Sequence, residues 1–193
     1  MTDSRTSTTL TTNCLERFPQ SMERAESIKL LVLDVDGVLT DGSLYVGPDG
    51  LEQLKVFDSL DGHGIKLLQS TGVHCAIITG RKSTMVESRA RELGIQHVFM
   101  AVKDKLAILK SLLNELGLSM KECAAMGDDW PDLSVISRVH LATAPAQAHA
   151  EILARAHFVT ERRGGQGAVR EVCDLILKSQ GHYANLLKEA LGS

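Results

Sequence analysis

Residues 28–42 read IKLLVLDVDGVLTDG: an apolar run from Ile28 to Leu33, interrupted only by Lys29, that stops at Asp34-Val35-Asp36-Gly37. The run has the length and composition of a buried strand. Two aspartates at i and i+2 on an extended backbone point to one face. Two carboxylates at the end of a buried strand repel each other unless a cation or a proton joins them. Gly37 frees the chain for a tight turn at that spot. A strand ending in this way is suited to hold a metal ion and a phosphoryl group.

Further along, apolar runs alternate with helix-like periodic segments. The pattern predicts a hairpin with arms Ser43–Val46 and Leu51–Phe57 around the turn Gly47-Pro48-Asp49-Gly50. It predicts strands over 73–78, 95–102, 122–126, 140–144 and 157–160, and helices over 61–70, 82–93, 103–116, 129–138, 145–155 and 167–180. A short helix is expected within 14–27. Residues 1–27 read as a partly disordered leader, 28–180 as one domain, and 181–193 as a short C-terminal tail that frays. The fold class expected is α/β: a Rossmann-like parallel sheet with helices on both faces, a protruding β-hairpin and no cap domain. In such sheets ligands sit outside the carboxyl ends of the strands.

The bulk numbers narrow the function. At 193 residues, 44% hydrophobic and 23% charged, the chain has the size and balance of a single globular core. A net charge of −3 with scattered basic residues gives no nucleic-acid surface, and 4% aromatic content leaves few stacking platforms. No apolar run is long enough to span a membrane. The opening MTDSRTSTTLTTN lacks the apolar segment of a secretory signal. Cys14, Cys75, Cys123 and Cys173 are far apart with no Cys-x-x-Cys spacing, which reads as reduced packing cysteines in a cytoplasmic protein.

The residues that follow each strand form a set. The first predicted strand ends at Asp34 and Asp36, the second at Thr79-Gly80-Arg81. The third is followed by Lys103-Asp104-Lys105, and the fourth by Gly127-Asp128-Asp129 with Asp132 beyond. Parallel strands place all four ends on one edge. Taken singly, each piece reads as capping or turn chemistry. Together they supply carboxylates, a hydroxyl and an ammonium, as a phosphate dianion with a divalent metal requires. One pair of like unit charges at about 4 Å costs roughly 4 kcal/mol at an effective dielectric near 20. Magnesium bridging Asp34, Asp128 and a phosphate oxygen would cancel that repulsion, and it favours oxygen ligands. Lys105 would neutralise remaining phosphoryl charge, the Thr79 hydroxyl would donate a hydrogen bond, and Asp36 would exchange protons with the leaving oxygen and with water.

At these residues the chain resembles the haloacid dehalogenase superfamily of phosphohydrolases. DVDGVLTDG (34–42) matches its first motif, ITGR (78–81) its second, the Lys105 region its third and GDDWPD (127–132) its fourth. The resemblance implies Asp34 as nucleophile and Asp36 as acid and base. It implies magnesium held by the Asp34 and Asp128 side chains and the Asp36 carbonyl.

Within the superfamily the match tightens to the capless branch of 3-deoxy-D-manno-octulosonate 8-phosphate phosphatases. It does so over KVF and DGHGIK in 55–66, AIITGRK in 76–82, KDKL in 103–106, and GGQGAVREVCDLIL in 164–177. That branch implies a sugar-acid phosphate substrate from lipopolysaccharide biosynthesis. It implies contacts from Asp36, Asp58, Ser59, Leu60, Asp61, Gly62, Lys66, Arg81, Arg89 and Lys105. Arg89 reads equally well as a solvated helix residue. Leu60 and Gln166 stand where the branch carries positive charge.

The gaps between motifs leave no room for a cap domain, so the site must find its cover elsewhere. The apolar hairpin over 43–57 is marginal as an isolated ribbon, and its pairing with other subunits in a homotetramer is the expectation. Alternatives stay open at this point: a phosphatase of 2-keto-3-deoxynononate 9-phosphate, a receiver-type signalling domain, and a non-catalytic module of the same fold.

Overall fold

The computed structural model describes residues 18–192. The described residues form a parallel sheet of β1 (Leu30–Leu33), β4 (His74–Ile78), β5 (His97–Phe99), β6 (Cys123–Met126), β7 (Leu141–Ala144) and β8 (Phe158–Val159). The strand order is β5-β4-β1-β6-β7-β8, with every pairing parallel. The chain runs outward from β1 through β4 to β5, then returns to the other side of β1 with β6. The order therefore reverses beside β1, where open α/β sheets carry their ligand crevice.

Alternation along β1 sorts the core into two layers. Leu31 and Leu33 face one cluster with Ile65, Leu68, Val169 and Val172, while Leu30 and Val32 face another with Leu109, Leu112 and Ile136. The first layer holds α1 (Ser21–Ala25), α2 (Ser59–Ser70), α3 (Thr84–Leu93) and α7 (Ala168–Ser179); the second holds α4 (Lys105–Leu116), α5 (Leu133–Ile136) and α6 (Ala150–Leu153). Helices on both faces explain why the strands read as apolar runs without alternation.

The ribbon of β2 (Tyr45–Val46) and β3 (Glu52–Leu54) is antiparallel and stands apart from the main sheet. Among the described residues, no helix is long and apolar enough to cross a membrane.

Three expectations need correction. The helix expected over 145–155 is reduced to Ala150–Leu153. Its first residues form a turn, with Ala148 N–H donating to the Pro145 carbonyl, and are drawn to other loops: Ala146 N–H donates to the Arg162 carbonyl and His149 N–H to the Asp128 carbonyl. The helix expected over 129–138 is a 3-10 turn, Trp130–Asp132, followed by the single turn of α5, because Asp132 folds back on the residues before it. The segment after Gly181 forms α8 (Tyr183–Leu191), with Tyr183 and Leu186 packed on the core.

The helix expected within 14–27 is α1; residues 14–17 lie outside the described residues. Within the expected leader, Ala25 is buried and Phe18 and Met22 pack against the first core layer.

Candidate active site

The register fixes the site. Leu33 pairs with Ile77 on one side and Met126 on the other, so the residues just beyond these three strands meet on one rim. Asp34 N–H donates to the Met126 carbonyl at 3.1 Å, which seats the aspartate at the strand end. Gly37 has φ +87°, and a Cβ there would lie 2.0 Å from Asp128 Oδ2. The turn therefore needs glycine for its dihedral and for the approach of Asp128.

Lys105 opens α4 with its side chain 6% exposed; Nζ donates to Asp34 Oδ1 at 2.8 Å and Asp132 Oδ1 at 2.6 Å. Burial alone would lower the lysine's pKa; the facing charges of Asp34 and Asp132 outweigh it and raise the group above its ordinary value. Asp132 also accepts from the N–H groups of Asp128 at 3.0 Å and Asp129 at 3.4 Å. Both of its oxygens are thus engaged.

Besides the Lys105 bond, the Asp34 carboxylate accepts from the Val35 backbone N–H. One oxygen each of Asp34, Asp128 and Asp132 lie within 4.8 Å of one another, a group able to hold a metal ion. Three carboxylates face one ammonium, and the imbalance shows in the titration of Asp34 and Asp128. Asp34 is raised from 3.8 to about 6, first by burial and then by the charge of Asp132, against the pull of Lys105. Asp128 is raised from 3.8 to about 7, by burial and then by the charges of Asp34, Asp132 and Asp129. An all-oxygen cluster short of positive charge fits a hard divalent cation.

Asp36 lies on the same loop. Lys55 Nζ donates to its Oδ1, and Arg81 Nε stands 3.6 Å from its Oδ2 with the arginine side chain 48% exposed. Thr79 is buried at the end of β4, where its Oγ1 accepts from Arg81 N–H at 3.4 Å. Thr79, Arg81 and Lys105 thus stand on the carboxyl edge with the aspartates.

The segment after the hairpin is less uniform than the sequence implies. Asp58 caps α2, accepting from Leu60 N–H at 2.7 Å and Asp61 N–H at 3.1 Å. Ser59, Leu60 and Lys66 are exposed. Asp61, expected among the substrate contacts, is engaged within the protein. It is buried, and its carboxylate accepts from Arg170 N–H at 2.8 Å and Gly167 N–H at 3.4 Å at the start of α7. Burial raises it to about 6 despite these bonds. Gly62 is buried beneath Arg89, whose Nη2 donates to the Asp58 carbonyl at 3.1 Å and whose guanidinium lies 5.9 Å from the Phe57 ring centroid. Arg89 is therefore a partly buried brace rather than a free helix arginine.

Several residues at the site escaped the sequence. Asp132 was visible as a further acid after the fourth strand, but its grip on Lys105 depends on the chain folding back. Gln147 Nε2 donates to the Gly37 carbonyl at 2.7 Å while its Oε1 accepts from Gly164 N–H at 2.9 Å, stapling the two glycine turns together. Trp130 is 62% exposed, and its Nε1 donates to His149 Nδ1 at 3.2 Å. Lys55 opens the KVF segment quoted for the resemblance, and no role was read for it there.

Comparison with known proteins agrees with this geometry. The haloacid dehalogenase-like hydrolase family profile matches residues 101–172. The 3-deoxy-D-manno-octulosonate 8-phosphate phosphatase KdsC of Salmonella typhimurium is 47% identical over 163 residues, 84% of this chain and 86% of that protein. A probable YrbI family phosphatase from Pseudomonas syringae superposes with a TM-score of 0.88 at 50% identity, covering 90% of this chain and 98% of that one. The 3-deoxy-D-manno-octulosonate 8-phosphate phosphatase of Moraxella catarrhalis, solved with magnesium, phosphate and a KDO molecule, superposes with a TM-score of 0.85 at 39% identity, covering 88% and 97%. A rim of paired aspartates bound by a buried lysine, on a sheet shared with these enzymes, leaves one assignment: the chain belongs to the 3-deoxy-D-manno-octulosonate 8-phosphate phosphatase family of haloacid dehalogenase-like phosphoric monoester hydrolases.

Proposed function

We propose that this phosphatase releases phosphate from 3-deoxy-D-manno-octulosonate 8-phosphate, with magnesium as cofactor. The observation that carries the reading is the single rim on which Lys105 holds one oxygen of Asp34 while oxygens of Asp34, Asp128 and Asp132 lie within 4.8 Å of one another, close enough to share a cation. The Asp34 and Asp128 side chains and the Asp36 carbonyl would hold the ion. When bound, magnesium supplies positive charge that returns both carboxyls to carboxylates and offsets the phosphate's charge.

Asp34 attacks phosphorus and forms an aspartyl phosphate. Asp36 gives its proton to the departing sugar oxygen, then takes one from the water that hydrolyses the intermediate. Lys105 orients Asp34 and balances charge, and the Thr79 hydroxyl donates to a phosphoryl oxygen. Arg81, half-exposed beside Asp36, is placed to meet an anionic substrate. Ser59, Leu60 and Lys66 would border the sugar acid, with Arg89 and Gly62 shaping the wall behind them. The magnesium, phosphate and KDO of the Moraxella enzyme support this assignment of cofactor and substrate class.

The product acid would enter lipopolysaccharide synthesis in the cytoplasm. The apolar side chains of the hairpin, exposed in a single chain, support assembly into a homotetramer that covers the open rim.

Phosphate release over a panel of sugar-acid phosphates tests the reading. The eight-carbon acid phosphate is expected to turn over fastest, EDTA to stop turnover and magnesium to restore it. Asp34→Asn is expected to reduce release to background with the fold intact by circular dichroism. Preference for the nine-carbon acid would reassign the substrate, and near-normal activity of Asp34→Asn would overturn the nucleophile.

A further inference from the structure

The hairpin is turned inside out. Tyr45, Val46, Leu51 and Leu54 are 44%, 57%, 65% and 51% exposed, whereas the Lys55 side chain is 1% exposed. An ammonium withdrawn from water requires anionic partners. Lys55 has two: Glu52 Oε1, 2.8 Å away in the same arm, and Asp36 Oδ1 in the loop after β1. Glu52 is itself 10% exposed, so it fixes the ammonium rather than trailing in solvent. The two oxygens of Asp36 are thereby divided. Oδ1 is taken by a buried cation, and Oδ2 stands 3.6 Å from Nε of the half-exposed Arg81.

We propose that Lys55 is a positioning residue for proton transfer at Asp36: it occupies Oδ1, so that Oδ2 alone carries the proton to the leaving oxygen. The inference rests on Asp36 acting as acid and base in the reading above. In the step concerned, the bond from Asp34 oxygen to phosphorus forms, the bond from phosphorus to the sugar oxygen breaks, and the Asp36 proton moves onto that sugar oxygen. An alkyl alkoxide is a poor leaving group and needs the proton delivered in place. A nitrophenolate leaves without it. Aim matters because small misplacements of a reacting group cost large factors in rate. Asp36 precedes a glycine on a turn, so the ion pair with Lys55 does the aiming.

The test compares kcat/KM, which reports steps up to departure of the leaving group, on the sugar-acid phosphate and on 4-nitrophenyl phosphate. Lys55→Met is expected to lose about 100-fold on the alkyl ester and only a small fraction of that on the aryl ester. KM for the sugar-acid phosphate is expected to stay near wild type, and Lys55→Arg to recover part of the loss. Equal losses on both esters, or wild-type behaviour on both, overturn the proposal. Should Lys55→Met fail to fold, Glu52→Gln, which frees the ammonium from its second anchor, is read by the same ratio. Asp36→Asn separates the two layers of the argument. If it shows no leaving-group discrimination, the acid role of Asp36 falls and takes Lys55 with it; if it discriminates and Lys55→Met does not, only the Lys55 role falls.

Discussion

Asp34 and Asp128 are carboxyls that the fold holds in a partly protonated state. Their folded values, about 6 and about 7, lie above the ordinary 3.8, with burial as the leading cause in each. The sign follows directly. At these two sites the folded chain binds protons that the unfolded chain has released, so their contribution to stability is greatest at acid pH and falls as pH rises from about 4 through about 7. Without metal, the melting temperature is expected to fall across that window. Added magnesium is expected to raise it more at pH 8 than at pH 5, because a cation removes the penalty only where the carboxyls are ionised. Scanning fluorimetry in EDTA and in magnesium reads this directly. Asp61, raised to about 6 but bound to the start of α7, contributes the same slope in both series and cancels in their difference. Curves that run parallel would show that the ion binds elsewhere.

Asp132 works at the same scale. It shares Lys105 with Asp34 and accepts from two backbone N–H groups. Asp132→Asn removes one anionic partner from a buried ammonium and weakens the acceptor of the turn. A stability loss of about 1–3 kcal/mol in urea unfolding is expected, with a larger fall in kcat than in substrate affinity.

Asp34, Asp36, Lys105 and Asp128 were legible in the sequence because each follows a strand, and parallel strands share an edge. Lys55, Asp132 and Gln147 were not. Their roles come from tertiary reach: a lysine turned inward, an acid folded back, an amide spanning two loops. Asp61 shows the same limit, since its bonds to the start of α7 join segments more than a hundred residues apart.

Among elements, the hairpin is the one whose surface contradicts its setting. Two short strands cannot hold together for long in water, yet Leu44, Tyr45, Val46, Leu51, Leu54 and Val56 are all exposed. Sedimentation is expected to report a tetramer at micromolar concentration. The double variant Val46→Asp and Leu54→Lys is expected to shift it to monomer with far-UV circular dichroism retained; a wild-type monomer would end the idea. Element boundaries show what periodicity can and cannot carry. The helices α2, α3 and α4 stand within two residues of expectation, since each has its own apolar stripe and local cap. The segment 145–155 has helical composition, but Gln147 and His149 are drawn into bonds with the loops after β1 and β6, and tertiary bonding overrides propensity there.

For the whole molecule, β1 is the shared wall of both core layers. Leu31 is fully buried on that central strand. Leu31→Ala is expected to cost about 3 kcal/mol. Because the rim hangs on the same strand, loss of activity and loss of far-UV signal are expected to coincide along a urea titration. Activity lost well before the ellipticity changes would mean that the rim opens independently of the sheet.

The chain has a single tryptophan, and Trp130 stands two positions past Asp128 with its indole tied to His149, whose backbone in turn grips the Asp128 carbonyl. Light emitted by this protein therefore comes largely from one ring beside the ionic pocket. Cation arrival at the rim is expected to be readable as a label-free optical titration.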